Sequence, residues 1–213
     1  MKIQSIVLDS SLSNTELCEL GKRFCADKSP YNEKGHRHPY TAVYSLLLSK
    51  YKYEPLRFVE IGIAGGSSLL MWSHYFVNHG RRLFFFDRDA DFIQHGNAFQ
   101  IPDVFCMEMD VTKEDSIRSG LQKIGGDLDV ILDDSTHGIP EQIKIIKTGL
   151  PFLKSGGMFI IEDIFKRYDE AEYQKQLEDV LDQFSLATFI NCEHTNKWSP
   201  DWDNDKLLIL IKK

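Results

Sequence analysis

From Pro55 onward, short apolar runs alternate with amphipathic stretches. The runs Arg57–Ile61, Arg82–Phe86, Val104–Met109, Leu128–Leu132, Gly157–Ile161, Leu186–Cys192 and Lys206–Lys212 predict strands. Between them, Ser67–Asn78, Ser116–Ile124, Pro140–Leu153 and Asp169–Phe184 read as helices, with Pro140 at a helix start, where its missing N–H costs nothing. Strands alternating with helices require a mostly parallel sheet covered on both faces. The last two runs are joined by Glu193–Asp205, too short and irregular for a crossover, so they should pair antiparallel. The expectation is an α/β three-layer sandwich with a seven-stranded, mostly parallel sheet closed by a C-terminal antiparallel hairpin.

The first part of the chain reads differently. Leu17, Leu20 and Phe24 recur at helical spacing after Asn14, a candidate N-cap, and a second helical pattern runs from Tyr40 to Lys50. Between them lies Ala26–Pro39, rich in charge, His, Pro and Gly. This predicts one domain over 1–213, in which 1–54 is an N-terminal helical and lid segment and 55–213 the ligand-binding α/β core.

Composition narrows the function. A chain of 213 residues, 42% hydrophobic and 27% charged, can bury one sizeable core. The net charge of −7 and the lack of any basic run longer than a dipeptide exclude nucleic acid as an expected partner. Cys18, Cys25, Cys106 and Cys192 form no CxxC pair, which speaks against a zinc site or disulfide framework and for a reducing cytoplasm. Met1–Ser10 has no long apolar stretch of the signal-peptide kind, and no run is long enough to span a bilayer, so no membrane partner is expected. A homo-oligomer is left open.

The first strand of the core ends in Glu60-Ile61, followed by Gly62-Ile63-Ala64-Gly65-Gly66 and a helix opened by Ser67. Glycines there let the backbone approach a ligand closely and take positive φ. The dinucleotide fingerprint GxGxxG fails, because Ala64 and Ser67 stand at its second and third glycine positions. The next strand ends at Asp87, where an acid can accept from ribose hydroxyls, and the third at Asp110-Val111. A plain strand-to-helix turn would explain the glycines alone, and caps or turns would explain each acid alone; the combination is harder to dismiss. It resembles the S-adenosylmethionine (SAM)-dependent methyltransferases of the Rossmann-like type. The resemblance implies a cofactor set of Glu60, Gly62, Ala64, Gly65, Gly66, Ser67, Asp87, Asp110, Val111 and Asp133, with Glu60 supporting the loop and Asp110-Val111 at the adenine edge.

Two further strand ends, Asp133-Asp134-Ser135-Thr136-His137 and Glu162-Asp163, should be neighbours on the ligand face. Four carboxylates so close would repel unless a cation neutralised them, and oxygen donors favour a hard ion such as Mg²⁺. Helix capping is the plainer reading, but a cap needs one acid rather than two adjacent pairs. The pattern Asp133-Asp134-x-x-His137 with Phe159-Ile160-Ile161-Glu162-Asp163 resembles the metal-dependent sugar O-methyltransferases of the macrocin and mycinamicin type, a pattern shared with cephalosporin hydroxylase-like proteins. Asp27-Lys28-Ser29 and His38-Pro39-Tyr40-Thr41 are also similar to the segment preceding the glycine loop in that group. The family usually carries Gly-Ser where this chain has Ser135-Thr136. The resemblance implies Asp134, Glu162 and Asp163 as Mg²⁺ ligands, His137 with Asp134 as the catalytic pair, His137 being the base, and a saccharide or other small-molecule acceptor methylated on a hydroxyl.

Two other function classes compete. A NAD-dependent sugar oxidoreductase would need GxGxxG and usually Tyr-x-x-x-Lys, which Tyr44, Tyr75 and Tyr168 do not supply. A non-catalytic module binding SAM or metal would keep the glycine loop without needing His137. The polar segment Ala26–Pro39 is placed either as a lid over the SAM pocket, with Tyr31, His36, His38 and Tyr40 as candidate contacts to SAM or substrate, or as an ordinary surface loop. Trp198 and Trp202 mark Glu193–Asp205 as a substrate wall, a buried hairpin loop or a dimer contact.

Overall fold

The computed structural model describes residues 1–213. The elements are β1 (Gln4–Asp9), α1 (Glu16–Phe24), α2 (Thr41–Leu48), β2 (Arg57–Ile61), α3 (Ser67–Tyr75), β3 (Arg82–Asp87), α4 (Ala90–Ala98), β4 (Val104–Glu108), α5 (Glu114–Ile124), β5 (Leu128–Asp133), α6 (Ile139–Gly149), β6 (Leu153–Ile161), α7 (Glu170–Gln176), β7 (Phe184–Glu193) and β8 (Lys206–Lys212). One sheet contains all the strands in the order β1-β7-β8-β6-β5-β2-β3-β4, and β8 alone runs antiparallel to its neighbours β6 and β7.

The alternation of side chains along each strand builds two cores. Val59, Ile61, Phe84, Phe86, Ile131 and Phe159 face one way, onto α5, α6 and α7. Phe58, Leu83, Phe85, Val130, Leu132 and Met158 face the other, onto α2, α3 and the buried side of α1. Every residue of β5 is buried, as a central parallel strand requires. No helix is long and apolar enough to cross a membrane.

The architecture is the expected Rossmann-like sandwich with its closing hairpin, but the sheet has eight strands rather than seven. The extra strand, β1, is an edge strand with mostly exposed side chains, and its register on β7 runs from Gln4 against Thr188 to Asp9 against Glu193. Its apolar run, Ile6-Val7-Leu8, is short, and the partner lies at the opposite end of the chain. Helix α4 is likewise absent from the pattern-based expectation. Its interior Gly96 lowers helix propensity, yet a Cβ there would come within 2.6 Å of Cys106 Sγ on β4, so close packing demands the glycine. The α1 cap is Thr15, whose side chain accepts from Cys18 N at 3.3 Å, rather than Asn14. The stretch expected as one helix over Asp169–Phe184 is helical as α7 only over Glu170–Gln176.

Phe159 is fully buried at the centre of the sheet, with its ring against Gly149 of α6 and 6.4 Å from that of Phe184. Phe159→Ala is expected to destabilise the fold by about 3–5 kcal/mol, measured as a lower urea midpoint at unchanged m-value.

Candidate active site

Strand β2 lies between β3 and β5, and the chain leaves it first toward β3 and β4 before returning to its other side. That reversal opens a crevice beyond the carboxyl ends of β2 and β5. Backbone bonds carry the ladder just past the strands: Gly62 N donates to Phe86 O at 2.7 Å, Asp134 N to Ile61 O at 2.9 Å and Glu162 N to Asp133 O at 2.9 Å. Gly62 has φ +117°, and a Cβ there would fall 2.0 Å from the Asp134 carbonyl oxygen, so only glycine lets the two strand ends close up. Gly66, at φ +77°, turns the loop into α3. Asp87 ties the loop to β3: one carboxylate oxygen accepts from Ile63 N at 2.9 Å, the other from Asp89 N at 3.0 Å.

Two adjoining cavities meet over this loop and share Gly62, Ala64, Asp134 and Ser135. The larger, about 450 Å³, is also lined by Gly65, Ser67, Asp27, His36, His38, His137, Asp163 and Trp202. The smaller, about 280 Å³, is also lined by Asp87, Arg88, Phe92, Met109, Val111 and Thr136. Among the residues expected to meet a cofactor, Gly62, Ala64, Gly65, Ser67, Asp87 and Val111 therefore line one or both cavities. Asp110 does not. Its carboxylate accepts from Thr112 Oγ1 at 2.6 Å and pairs with Lys113 Nζ at 2.9 Å, and these contacts hold it below the usual carboxylate range. Glu60 and Asp133 are buried beneath the loop rather than lining it. Burial raises Glu60 to about 7, against the opposing pull of Lys28, and raises Asp133 to about 6, against a hydrogen bond from Ser135 Oγ at 2.6 Å. Phe92, on the unexpected helix α4, adds an exposed aromatic wall to the smaller cavity.

The carboxylate cluster carries its own cation. Lys28, 1% exposed, sends its ammonium between Glu162 (2.7 Å), Glu60 (3.3 Å) and Asp134. Burial would strip its proton, but the surrounding acids outweigh burial and raise its pKa well above the lysine range. Charge repulsion among the strand-end acids therefore does not by itself call for a metal, contrary to the expectation from sequence. Lys28 escapes sequence reasoning as a site residue because a lone lysine in a polar loop is by default a surface group. Glu162 is buried and its carboxylate also accepts from the Tyr44 hydroxyl; burial raises it well above the carboxylate range. Its two carboxylate oxygens thus meet Lys28 and Tyr44.

Asp163 faces the larger cavity with φ +55°. It accepts from the Tyr40 hydroxyl at 2.7 Å, with His38 Nδ1 3.8 Å and His137 Nε2 3.6 Å away. His38, a candidate contact to SAM or substrate from the sequence, lines the larger cavity and is buried beside Asp163. Burial opposes its protonation, but Asp163 and a 2.9 Å hydrogen bond to Asp205 raise its pKa to about 9. One ligand-capable atom each from Asp134, His137 and Asp163 lies within 4.8 Å of the others. Two are carboxylate oxygens, the donors hard divalent cations take, and His137 Nδ1 is buried without a hydrogen-bond partner. The residues present therefore fit a divalent ion, although the converging set is not the Asp134, Glu162, Asp163 set implied by resemblance. Trp202, 45% exposed, stands over this group with its ring centroid 6.4 Å from that of His137.

Residues 59–164 match the family model of a methyltransferase domain. The matched segment runs from β2 to just past the end of β6, and the fold is the Rossmann-like methyltransferase fold. It is 30% identical over 145 residues to the 8-demethyl-8-alpha-L-rhamnosyl tetracenomycin-C 2'-O-methyltransferase of Streptomyces olivaceus, covering 64% of this chain and 36% of that protein. It is 27% identical over 172 residues to the demethylmacrocin O-methyltransferase of Streptomyces fradiae, covering 77% of this chain and 40% of the relative. The chain thus spans roughly two fifths of the length of these curated relatives. Among solved structures, the MycE methyltransferase of the mycinamycin pathway, in complex with Mg, SAH and mycinamycin VI, shares the fold with a TM-score of 0.68 at 18% identity, over 93% of this chain and 55% of that one.

Two outcomes follow from this geometry. Gly62→Ala is expected to abolish binding of S-adenosylhomocysteine (SAH) in calorimetry, because the added carbon displaces the Asp134 carbonyl. His38 binds its proton more tightly folded than unfolded, so its contribution to stability is present below about pH 6.5 and is lost as pH rises through about 9. The raised Glu60 acts in the same direction between its ordinary value and about 7. Unfolding free energy in EDTA should therefore fall on the order of 3 kcal/mol from pH 6.5 to 9.5, and His38→Gln should flatten that slope.

Proposed function

We propose that the chain transfers a methyl group from SAM to a hydroxyl of a saccharide or glycosylated small molecule, assisted by a divalent cation, Mg²⁺ by preference. The observation that carries this reading is the convergence of Asp134, His137 and Asp163 where the two cavities meet the glycine loop. The named relatives, sugar O-methyltransferases among them, support the acceptor class.

Bound over the loop, SAM supplies an electrophilic methyl carbon on a positively charged sulfonium. Asp87, Phe92, Met109 and Val111 of the smaller cavity would hold a ribose and adenine, and Gly62–Gly65 would hold the methionine part. Asp134 and Asp163 would hold a divalent ion, which would supply Lewis acidity toward an acceptor hydroxyl. His137 Nε2 takes the proton of the acceptor hydroxyl as the oxygen–carbon bond forms and the carbon–sulfur bond breaks. SAH leaves as the neutral thioether, and the proton remains on His137 until solvent removes it. Asp163, 3.6 Å from His137 Nε2, stabilises the imidazolium so formed. Much of the remaining acceleration is placement of the oxygen in line with the methyl carbon.

Residues 1–54 act in this reading as the cover of the acceptor side: Asp27, Lys34, His36 and His38 line the larger cavity, and Arg37 pairs with Trp198 through reciprocal backbone bonds of 2.8 and 3.0 Å. We place the reaction in the cytoplasm, which the four free cysteines support.

Transfer from labelled SAM to a panel of glycosides with added Mg²⁺ tests the reading. His137→Ala is expected to lower kcat by about 10²- to 10⁴-fold with SAH affinity unchanged; full activity would remove the base. EDTA is expected to stop turnover, and turnover that persists in EDTA with no metal in the protein would remove the cation.

A further inference from the structure

The three tryptophans have different settings. Trp72 is fully buried in one of the two cores, whereas Trp198 and Trp202 are half-exposed on the connection between β7 and β8. Of the three, Trp202 alone lines the larger cavity. Its backbone is held on both sides. Trp202 N donates to Ser199 O at 3.2 Å, and the next carbonyl, Asp203 O, accepts from Lys166 N at 2.8 Å. Asn204 beyond it is fully buried, and its carbonyl accepts from the Tyr40 hydroxyl at 2.9 Å. Three rings stand around the indole: His36, Phe165 and His137, at 5.6, 5.8 and 6.4 Å between centroids. Each is inclined to it by 55° to 82°, so none is stacked flat on it. A large apolar ring fixed in place at a cavity is surface that a ligand can cover without first ordering it.

The rest of that cavity is polar, and on two sides. Asp134 and His137 stand on the core, Asp27, Lys34 and His36 on the segment before α2. One aromatic ring set among polar groups suits a ligand that carries both kinds of surface. A pyranose does: its hydroxyls project all around the rim, while the C–H bonds of one face form an apolar patch that packs on an indole. A catechol would cover the indole equally well but offers hydroxyls along one edge only. We propose that Trp202 is the platform on which the sugar ring of the acceptor stacks, with a rim hydroxyl directed to His137. This rests on the saccharide reading above and assigns the residue that selects the ring. His36, nearly perpendicular to the indole and with Nδ1 3.3 Å from Ser199 Oγ, is the positioning residue that props it. Stacking acts on the bound acceptor and the transition state alike, so it sets KM and leaves kcat.

The test compares the full chain as wild type, Trp202→Phe, Trp202→Leu and Trp202→Ala. Each is assayed with labelled SAM and Mg²⁺ on the methyl glycosides of rhamnose, glucose, galactose, mannose and glucuronic acid, and on catechol. For the best pyranoside, KM is expected to rise at least about tenfold in Trp202→Ala and Trp202→Leu and to stay within about threefold in Trp202→Phe, with kcat and SAH affinity little changed throughout. With SAH present, that glycoside should change the tryptophan emission of wild type saturably, and the change should vanish in Trp202→Phe, whose remaining indoles are Trp72 and Trp198. An unchanged KM in Trp202→Ala, equal KM values in Trp202→Leu and Trp202→Phe, a loss confined to kcat, or an emission change that persists in Trp202→Phe overturns the proposal and leaves the methyl-transfer reading standing. So does a drop in sedimentation mass in Trp202→Ala, which would make the indole a subunit contact. If Trp202→Ala does not fold, the Trp202→Leu and Trp202→Phe pair decides. Methylation of catechol and of no pyranoside, or of none of these compounds, overturns the proposal together with the saccharide reading.

Discussion

The ammonium of Lys28, shut away from water among Glu60, Asp134 and Glu162, is the interaction on which the ligand face depends. Burying carboxylates without a partner is costly, and removing one partner of a buried pair leaves the other stranded. The carboxyl ends of β2, β5 and β6 can converge only because a cation arrives from outside the sheet. It arrives on the polar segment before α2, and the same short stretch brings His38 and Tyr40 to Asp163 and Tyr44 to Glu162. The N-terminal part of the chain is therefore an integral wall of the site, tied to the core by charge and hydrogen bonds as well as by the apolar packing of α1 and α2.

This arrangement sorts the acids into two layers. Glu60, Asp133 and Glu162 lie inside, where burial raises their pKa values and their partners are lysine, serine and tyrosine. Asp134 and Asp163 lie outward, lining the larger cavity with His137. Side chains on turns are aimed by backbone geometry: Ala64, His137 and Asp163 all have positive φ, at 42°, 56° and 55°. Three non-glycine residues in that region around one crevice are the kind of local strain that functional sites retain. The bridge between Arg37 and Trp198 joins the polar segment to the β7–β8 connection, so the two walls of the acceptor side form one layer.

The sequence made much of this legible. Apolar runs at strand spacing located seven of the strands, the glycine loop marked the crevice, and the acids at Asp87, Asp134 and Asp163 were placed at the mouth where the cavities open. Two of the acids turned out to serve other ends: Asp110 closes its own turn on Thr112 and Lys113, and Glu162 faces inward. An acid at a strand end is visible in sequence, but the direction of its carboxylate is set by partners elsewhere. Strand β1 and the buried roles of Lys28 and His38 were illegible for the same reason. Apart from Glu60, which pairs with Lys28, their partners lie more than a hundred residues away, and segments this short have no periodicity from which burial can be read.

What the sequence determined by itself was the succession of seven strands and the helices between them other than α4, the antiparallel closing pair and the glycine turn, because each depends on local alternation, on loop length or on a conformation that only glycine takes without strain. What tertiary structure decided was which charges meet. The pairing of Lys28 with three strand ends, and hence which carboxylates are left to face a ligand, depends on the register of β2, β5 and β6 and on where the preceding segment crosses them, neither of which is encoded within any one stretch of chain.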